Sequence, residues 1–432
     1  MTAQTSLSLS RRRTELGLLV LVILIVAFAY LLMSLGVNGR IPPNADVFLG
    51  VLVGLAVLVH LVNRRLIPNA DATLLPIVFL LNGLGYVFIV RIKPHLAGYQ
   101  AVWTLVGVVG YVIALVGVRR FRDLERYRYL ILVAALGLLL LPLVPRIGLS
   151  IGGARLWVRI GPITFQPVEL AKIGLVIFLA SYFTERRELL TLPTQRVGNR
   201  LLPSGRILGP ILFAWAFVMI VMAAERNIGF ALLLFVLFMA MIWLATGHSM
   251  YIVSGVLLFA FGTFVSLHSF SQVAPRINDW LDPWHHLAAG GGQIVQAQYG
   301  LGTGGLTGSG LGLGRPYLVP ISYSDFIFAA IGEELGWLGT VFVLVAFVLI
   351  VATGLRIAIA STAEFTKLLV AGFTLTIGLQ AIFIMAGVIR LLPLTGLTLP
   401  FVAYGGSSLF ANYVLLALLM RASHESCSGG PG

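Results

Sequence analysis

A chain of 432 residues with 59% hydrophobic and only 10% charged residues cannot cover a water-facing surface, so a soluble globular domain is excluded. The formal charge of +13 would suit nucleic acid in a soluble protein, but here the arginines sit in short segments between apolar runs, where they set orientation. Nucleic-acid binding is therefore disfavoured, and an all-α polytopic membrane protein is expected. The single cysteine, Cys427, leaves no intrachain disulfide to staple the loops.

Arg11-Arg12-Arg13 precede apolar sequence from Leu16 to Leu35, long enough to span a bilayer and lacking a small-x-small cleavage site, which predicts an uncleaved first helix. Further apolar runs lie near 47–62, 72–90, 99–118, 129–143, 168–182, 207–223, 228–245, 250–267, 326–355, 368–389 and 397–420. With the first, these predict about twelve transmembrane helices. The run 168–182 barely reaches the length a bilayer demands. Placing the N-terminus in the cytoplasm puts eighteen of the 29 Lys and Arg residues in inward segments, so both termini are expected inside. The chain divides into an N-terminal part with two helices (1–71), a transmembrane core (72–421) with a large glycine-rich extracytoplasmic loop (268–325), and a short cytoplasmic tail (422–432).

The predicted outer loop 146–167 retains Arg146, Arg155 and Arg159 against the inward bias. Cations held there suit an anionic ligand, and equally the headgroups of anionic lipid. In the next helix Glu169 and Lys172 are three apart and share a face. A purely structural ion pair would look the same, but burying one in lipid brings little net stability, which favours the lining of a polar cavity.

The segment from His268 to Ser324 is too long for a turn between helices. It contains Arg276 and Trp280-Leu281-Asp282-Pro283-Trp284, and it is dense in glycine from Gly290 to Gly314. Tryptophans suit a membrane interface, and this loop is expected to fold back onto the outer leaflet. Its Gly-x-Gly spacings lack the strand and helix of a nucleotide cradle, and the adjacent His285-His286 has no ligand partners at metal-site spacing. The segment enters the next apolar run through Ser324-Asp325-Phe326. Asp325 is either the cap of that helix or an ionisable group with a function at the membrane boundary. Gly332-Glu333-Glu334-Leu335-Gly336 follow. At ~1.5 Å rise per residue at least one of these glutamates lies inside the membrane, with Lys172 the expected partner unless the glutamate is neutral.

Finally, Pro393-Leu394-Thr395-Gly396 through Pro400, then Tyr404-Gly405-Gly406-Ser407-Ser408, should break the last helix. Such breaks sit beside a cavity or serve close packing through small residues.

Taken in order, these motifs resemble the RodA/FtsW family, the SEDS proteins. The matching pieces are Gly153-Ala154-Arg155-Leu156-Trp157, Phe165-Gln166-Pro167-Val168-Glu169 with Lys172, and Trp280-Leu281-Asp282-Pro283-Trp284. They continue with Gly304-Gly305, Gly310-Leu311-Gly312, Asp325-Phe326-Ile327-Phe328-Ala329, Gly332-Glu333-Glu334-Leu335-Gly336 and Tyr404-Gly405-Gly406-Ser407-Ser408. Similarity covers roughly 72–421, and the two helices before it exceed the usual ten. Val168, Ala403, Tyr323-Ser324 and Glu225-Arg226-Asn227-Ile228-Gly229 depart from the family pattern, whereas Asp325 is intact.

The resemblance implies a peptidoglycan glycosyltransferase that polymerises lipid II at the outer face of the cytoplasmic membrane and releases undecaprenyl pyrophosphate. It makes Asp325 the expected catalytic residue, as the general base or in a purely orienting role. Arg155, Gln166, Glu169, Lys172, Arg276, Glu334 and Ser407 become the expected substrate-binding residues, with Arg155, and either Arg159 or Arg276, on pyrophosphate. No cofactor is certain, and a divalent cation is left open. The expected partners are membrane lipids and a class B penicillin-binding protein. A lipid II flippase and a non-catalytic scaffold are the rival readings.

Overall fold

The computed structural model describes residues 2–428 except 42–44, 152, 162, 192–194, 198–199, 203–204, 270–272 and 289. Its first half holds α1 (Thr2–Asn38), α2 (Ala45–Leu66), α3 (Leu74–Ile92), α4 (Ala97–Gly117), α5 (Phe121–Arg126) and α6 (Arg128–Leu140), then strands β1 (Gly148–Ile151), β2 (Ala154–Ile160) and β3 (Ile163–Phe165). Next come α7 (Val168–Glu185), α8 (Arg187–Thr191), β4 (Gln195–Val197), β5 (Arg200–Leu202), α9 (Gly205–Ala224), α10 (Ile228–Thr246) and α11 (Ser249–Ser269). The chain ends with α12 (Val273–Leu281), α13 (Gly291–Gly304), α14 (Ile327–Ala360), α15 (Glu364–Val388) and α16 (Gly406–Ser428).

The apolar runs singled out in the sequence fall on helices, because a helix satisfies its own backbone groups where lipid cannot, except that the run expected at 397–420 becomes helical only from Gly406. Among the described residues seven helical stretches are long and apolar enough to cross a membrane, and three shorter apolar ones lie at Arg128–Leu143, Leu212–Ala224 and Ser249–Phe264. The protein is a mostly helical, multi-pass membrane protein. Two features depart from an all-helical reading. The segment expected to be a plain loop at 146–167 folds into the antiparallel sheet β1-β2-β3, with β4 and β5 forming a second pair. The glycine-dense stretch contains α13, whose side-chain-poor surface lets backbones approach closely. The expected tail continues α16 to Ser428, and 429–432 lie outside the described residues.

The chain packs as two compact units. The first comprises Met1–Arg119, Arg276–Ile357 and Gln380–Gly430, and the second comprises Arg120–Pro275 and Ala358–Leu379. In the second, Asn227 caps α10 by accepting from the Phe230 amide at 3.2 Å. Residue Tyr251 of α11 donates to the Leu190 carbonyl at 3.1 Å.

The first unit anchors α1 through a buried polar lock. Glu15, fully buried, takes an ion pair from Arg12, and Arg12 also bonds the Ala70 carbonyl. The His60 ring of α2 lies 2.8 Å from the second Glu15 oxygen, Asn63 donates to Glu15 at 3.3 Å, and Tyr111 of α4 donates to Asn63 at 2.6 Å. Gly83 of α3 lets Val26 of α1 in, since a Cβ there would overlap the valine methyls. Removing one partner from such a buried group strands the others. Glu15→Ala is therefore expected to lower stability by about 3–5 kcal/mol in thermal unfolding of the purified protein, and Glu15→Gln, which keeps an acceptor for His60 or Asn63, by less.

Candidate functional site

Asp325 sits in the last turn before α14. Ile321 adopts a left-handed backbone (φ 56), costly for a β-branched residue, and its carbonyl accepts from the Ser324 amide at 3.0 Å. Ser324 Oγ then donates to Asp325 Oδ1 at 2.9 Å. Among the described residues no backbone N–H of α14 bonds this carboxylate, so it does not act as the helix cap.

Opposite lies the non-helical stretch between α15 and α16. Gly396 (φ 66) comes so near that a Cβ on it would stand 3.8 Å from Asp325 Oδ2. The Tyr404 amide donates to the Tyr323 carbonyl at 2.9 Å, and Gln380 of α15 donates to the Thr398 carbonyl at 2.9 Å. These bonds satisfy backbone groups that a broken helix sets free. The same stretch fixes α12. Trp280 Nε1 donates to the Arg390 carbonyl at 3.1 Å, while Arg390 returns bonds to the carbonyls of Trp280 at 2.8 Å and Leu281 at 2.6 Å. Arg276 of α12 thereby stands where its charge acts on Asp325. Burial pushes the Asp325 carboxyl up to about 6, against the smaller opposing pulls of the Ser324 hydrogen bond and the Arg276 cation. Burial also lowers Arg276, which Asp325 partly offsets.

Eleven residues beyond Asp325, α14 breaks. Gly336 has φ 67 and ψ −165 inside an otherwise continuous helix, and the glycine loop after α13 fills the gap. Ser309 donates through its amide and hydroxyl to the Glu333 carbonyl, each at 2.9 Å, and the Gly310 amide donates to the Glu334 carbonyl at 3.0 Å. Beyond the break, the Trp337 and Leu338 amides donate to the carbonyls of Gly305 at 2.9 Å and Leu306 at 3.2 Å. Both glutamate side chains hold the same loop. Glu333 accepts from the Arg315 amide at 2.5 Å. Glu334 accepts from the Gly312 amide at 2.9 Å and from Arg91 Nε at 3.0 Å, and Arg91 also donates to the Gly314 carbonyl at 2.7 Å. The cation found at Glu334 is thus Arg91, not the expected Lys172. Lys172 bonds Glu169 on its own helix, at 2.5 Å.

Of the expected site residues, the first unit brings together Asp325 and Arg276 at the turn, and Glu334 at the loop. Ser407 is buried in the first turn of α16. The other four belong to the second unit. Arg155 is exposed on β2, and its amide donates to the Glu225 carbonyl at 3.0 Å. Arg159, also exposed, lies further along the same strand, past a bulge between Arg155 and Trp157 that turns the two arginines to opposite faces. Gln166 is buried just before α7, and Glu169 and Lys172 are a fully buried pair on it. Glu225 was not expected as a site residue. It is buried with no hydrogen-bond partner for either carboxyl oxygen among the described residues, and burial pushes it up to about 8.

Two cavities of about 490 and 480 Å³ open in the first unit. One is walled by α1–α4, including Tyr86 and Arg91, and the other by α13–α15 around Gly305 and Trp337. Neither wall includes Asp325. Among the described residues no three His, Cys, Asp or Glu side chains converge on a metal position.

The family model of the FtsW, RodA and SpoVE cell cycle proteins matches residues 69–428. The chain belongs to this family. The peptidoglycan glycosyltransferase RodA of Mycobacterium tuberculosis is 39% identical over 426 residues, covering 96% of this chain and 91% of that protein. The RodA of Mycobacterium leprae is 40% identical over 378 residues, 85% of this chain and 80% of that protein. A probable peptidoglycan glycosyltransferase FtsW from Geobacter sp. strain M18 is 33% identical over 75% of this chain and 85% of its own length. Among solved structures, a chain of a peptidoglycan synthase complex aligns with TM-score 0.68 and 26% identity over 83% of this chain and 98% of its own. The rod shape determining protein RodA of Thermus thermophilus aligns with TM-score 0.60 and 25% identity over 82% of this chain and 97% of its own.

Because Arg91 and Glu334 share one network, Arg91→Ala and Glu334→Ala are expected to be non-additive, with an interaction of about 0.5–3 kcal/mol in a double-mutant cycle read by thermal unfolding.

Proposed function

We propose that this family member polymerises lipid II into glycan strands, with Asp325 as the base. The observation that carries the reading is a carboxylate in dense protein surroundings at a non-helical junction. Burial raises its proton affinity to about 6, and the charge of Arg276 acts on it. A sugar hydroxyl is a poor nucleophile until its proton leaves, and a base works best when its pKa lies near the working pH. In the step proposed, Asp325 takes the proton of the acceptor GlcNAc 4-hydroxyl as that oxygen bonds the anomeric carbon of the donor MurNAc. The bond from that carbon to the phosphate oxygen breaks with inversion. Undecaprenyl pyrophosphate departs with the electron pair.

Arginine forks suit the charge that develops on pyrophosphate. Arg276, whose charge acts on Asp325, is assigned to it, together with Arg155 and Arg159 of β2. Gln166, Glu169, Lys172 and Ser407 are assigned to substrate recognition. Glu334, with its oxygens engaged by Gly312 and Arg91, acts on substrate through the loop it holds. Twelve spans with both termini in the cytoplasm put Asp325 at the extracytoplasmic side, where the basic residues are sparse. A single-span class B penicillin-binding protein is the proposed partner. The similarity to a chain of a peptidoglycan synthase complex supports it. The relatives named peptidoglycan glycosyltransferases favour this reading over a flippase or a scaffold.

Purified protein given labelled lipid II is expected to make glycan polymer. Asp325→Asn, which keeps size and loses the base, should lower the rate about 10²- to 10⁴-fold, and retention of full activity would remove Asp325 from the chemistry. The active form is the carboxylate, so the rate should fall as pH drops through about 6, not through the ordinary aspartate range. Arg276→Gln takes away a charge that favours the anion, and should move this acidic limb to higher pH.

A further inference from the structure

The family model begins at residue 69, so α1 and α2 lie outside the matched stretch and only their packing says what they do. At its C-terminal end α1 runs directly against the glycine loop, backbone to backbone. A Cβ on Gly36 would overlap the Leu311 carbonyl oxygen and stand 3.2 Å from the Gly312 Cα. From the other side, a Cβ on Gly312 would overlap the Met33 carbonyl oxygen and stand 3.0 Å from the Val37 amide nitrogen. Gly312 also has a left-handed backbone (φ 81), so two separate reasons reserve the position for glycine. The hydrogen that replaces the Gly36 side chain points at the Leu311 carbonyl, a weak contact typical of close helix approaches.

The loop residue clamped here is the one whose amide bonds Glu334. Glu334 belongs to the helix that begins two residues after Asp325, and Arg91 closes the ring by bonding both Glu334 and the Gly314 carbonyl. The other end of α1 is pinned by the Glu15 lock and by Arg11, which donates to the Asn69 carbonyl at 2.5 Å. Ser34 donates to the Arg40 carbonyl at 2.9 Å and fixes the exit from the helix. A helix held at both ends presses its Gly36 face on a loop that has almost no side chains to hold itself.

We infer that α1 is a built-in clamp for the reaction: Gly36 is a positioning residue that seats the 308–314 loop against Glu334 and so sets where Asp325 stands. The activity arm of this inference rests on the function proposed above, and the loop arm does not. A displacement of about 1 Å at a reacting group costs about 10²-fold in rate, so loosening the seat should act on turnover.

The test compares Gly36→Val with Gly17→Val, a change in the same helix at a position with nothing within 4 Å. Lipid II polymerisation, thermal unfolding and hydrogen exchange of the 308–314 amides are measured on full-length protein in nanodiscs. Gly36→Val is expected to speed exchange at Gly310 and Gly312 at least tenfold. Turnover should fall about 10- to 100-fold with the Michaelis constant for lipid II nearly unchanged, whereas Gly17→Val should match the unsubstituted protein in all three measurements. Unchanged loop exchange in Gly36→Val would overturn the clamp, as would faster exchange with unchanged turnover. Should Gly36→Val unfold, Gly36→Ala supplies the smaller wedge, and the same two outcomes decide. Loss of the clamp is distinguishable from failure of the proposed chemistry, because the latter appears as full polymerisation by Asp325→Asn.

Discussion

The break in α14 at Gly336 is the constraint on which the rest of the molecule turns. A helix interrupted within a membrane frees carbonyls on one side and amides on the other, and each costs several kcal/mol when unpaired in hydrocarbon. Lipid cannot supply partners, so the chain supplies them itself. Residues 305–310 enter the gap, donate to Glu333 and Glu334, and accept from Trp337 and Leu338. Glycine is needed where the two backbones meet, because a Cβ on Gly308 or Gly336 would strike the other segment's main chain. The glycine-rich character of the long loop follows from this insertion.

Once the loop is committed to the gap, the placement of the acid at the start of α14 follows. Asp325 sits between that helix and the non-helical stretch before α16, and both are held by main-chain bonds instead of by side-chain packing alone. Main-chain bonds are short and directional, and they leave little freedom to the carboxylate between them. Strain at Ile321 is tolerated because its neighbours over-determine it. Arg276 acts on the acid through its charge, from a helix that is itself fastened to Arg390.

Much of this was legible in the sequence. Long apolar runs became helices because length and lipid leave no other choice, and Asp325 stood out as an ionisable group at the edge of one. The sheet at 148–165 was hidden, since its strands are short and its arginines read as loop charges. Helix α13 was hidden by glycine, whose low helix propensity is overridden here by the backbone it packs against, as Gly304 shows in meeting the Gly332 carbonyl. Arg91 was missed for a different reason. A cation ending an apolar run looks like any other orientation signal, and only the fold reveals that it bonds a glutamate 243 residues away.

That separation has a consequence for how the molecule is made. Helices α1 to α3 leave the ribosome first, yet Gly36 and Arg91 find their partners only after residues 311–334 have been synthesised. At about 5–20 residues per second, Arg91 waits roughly ten to fifty seconds with its charge at the end of an apolar helix. During biogenesis the early helices form an unfinished cradle, and the last third of the chain completes it. The capacity for chemistry is thus acquired late, in one assembly step, when the newborn chain is nearly whole.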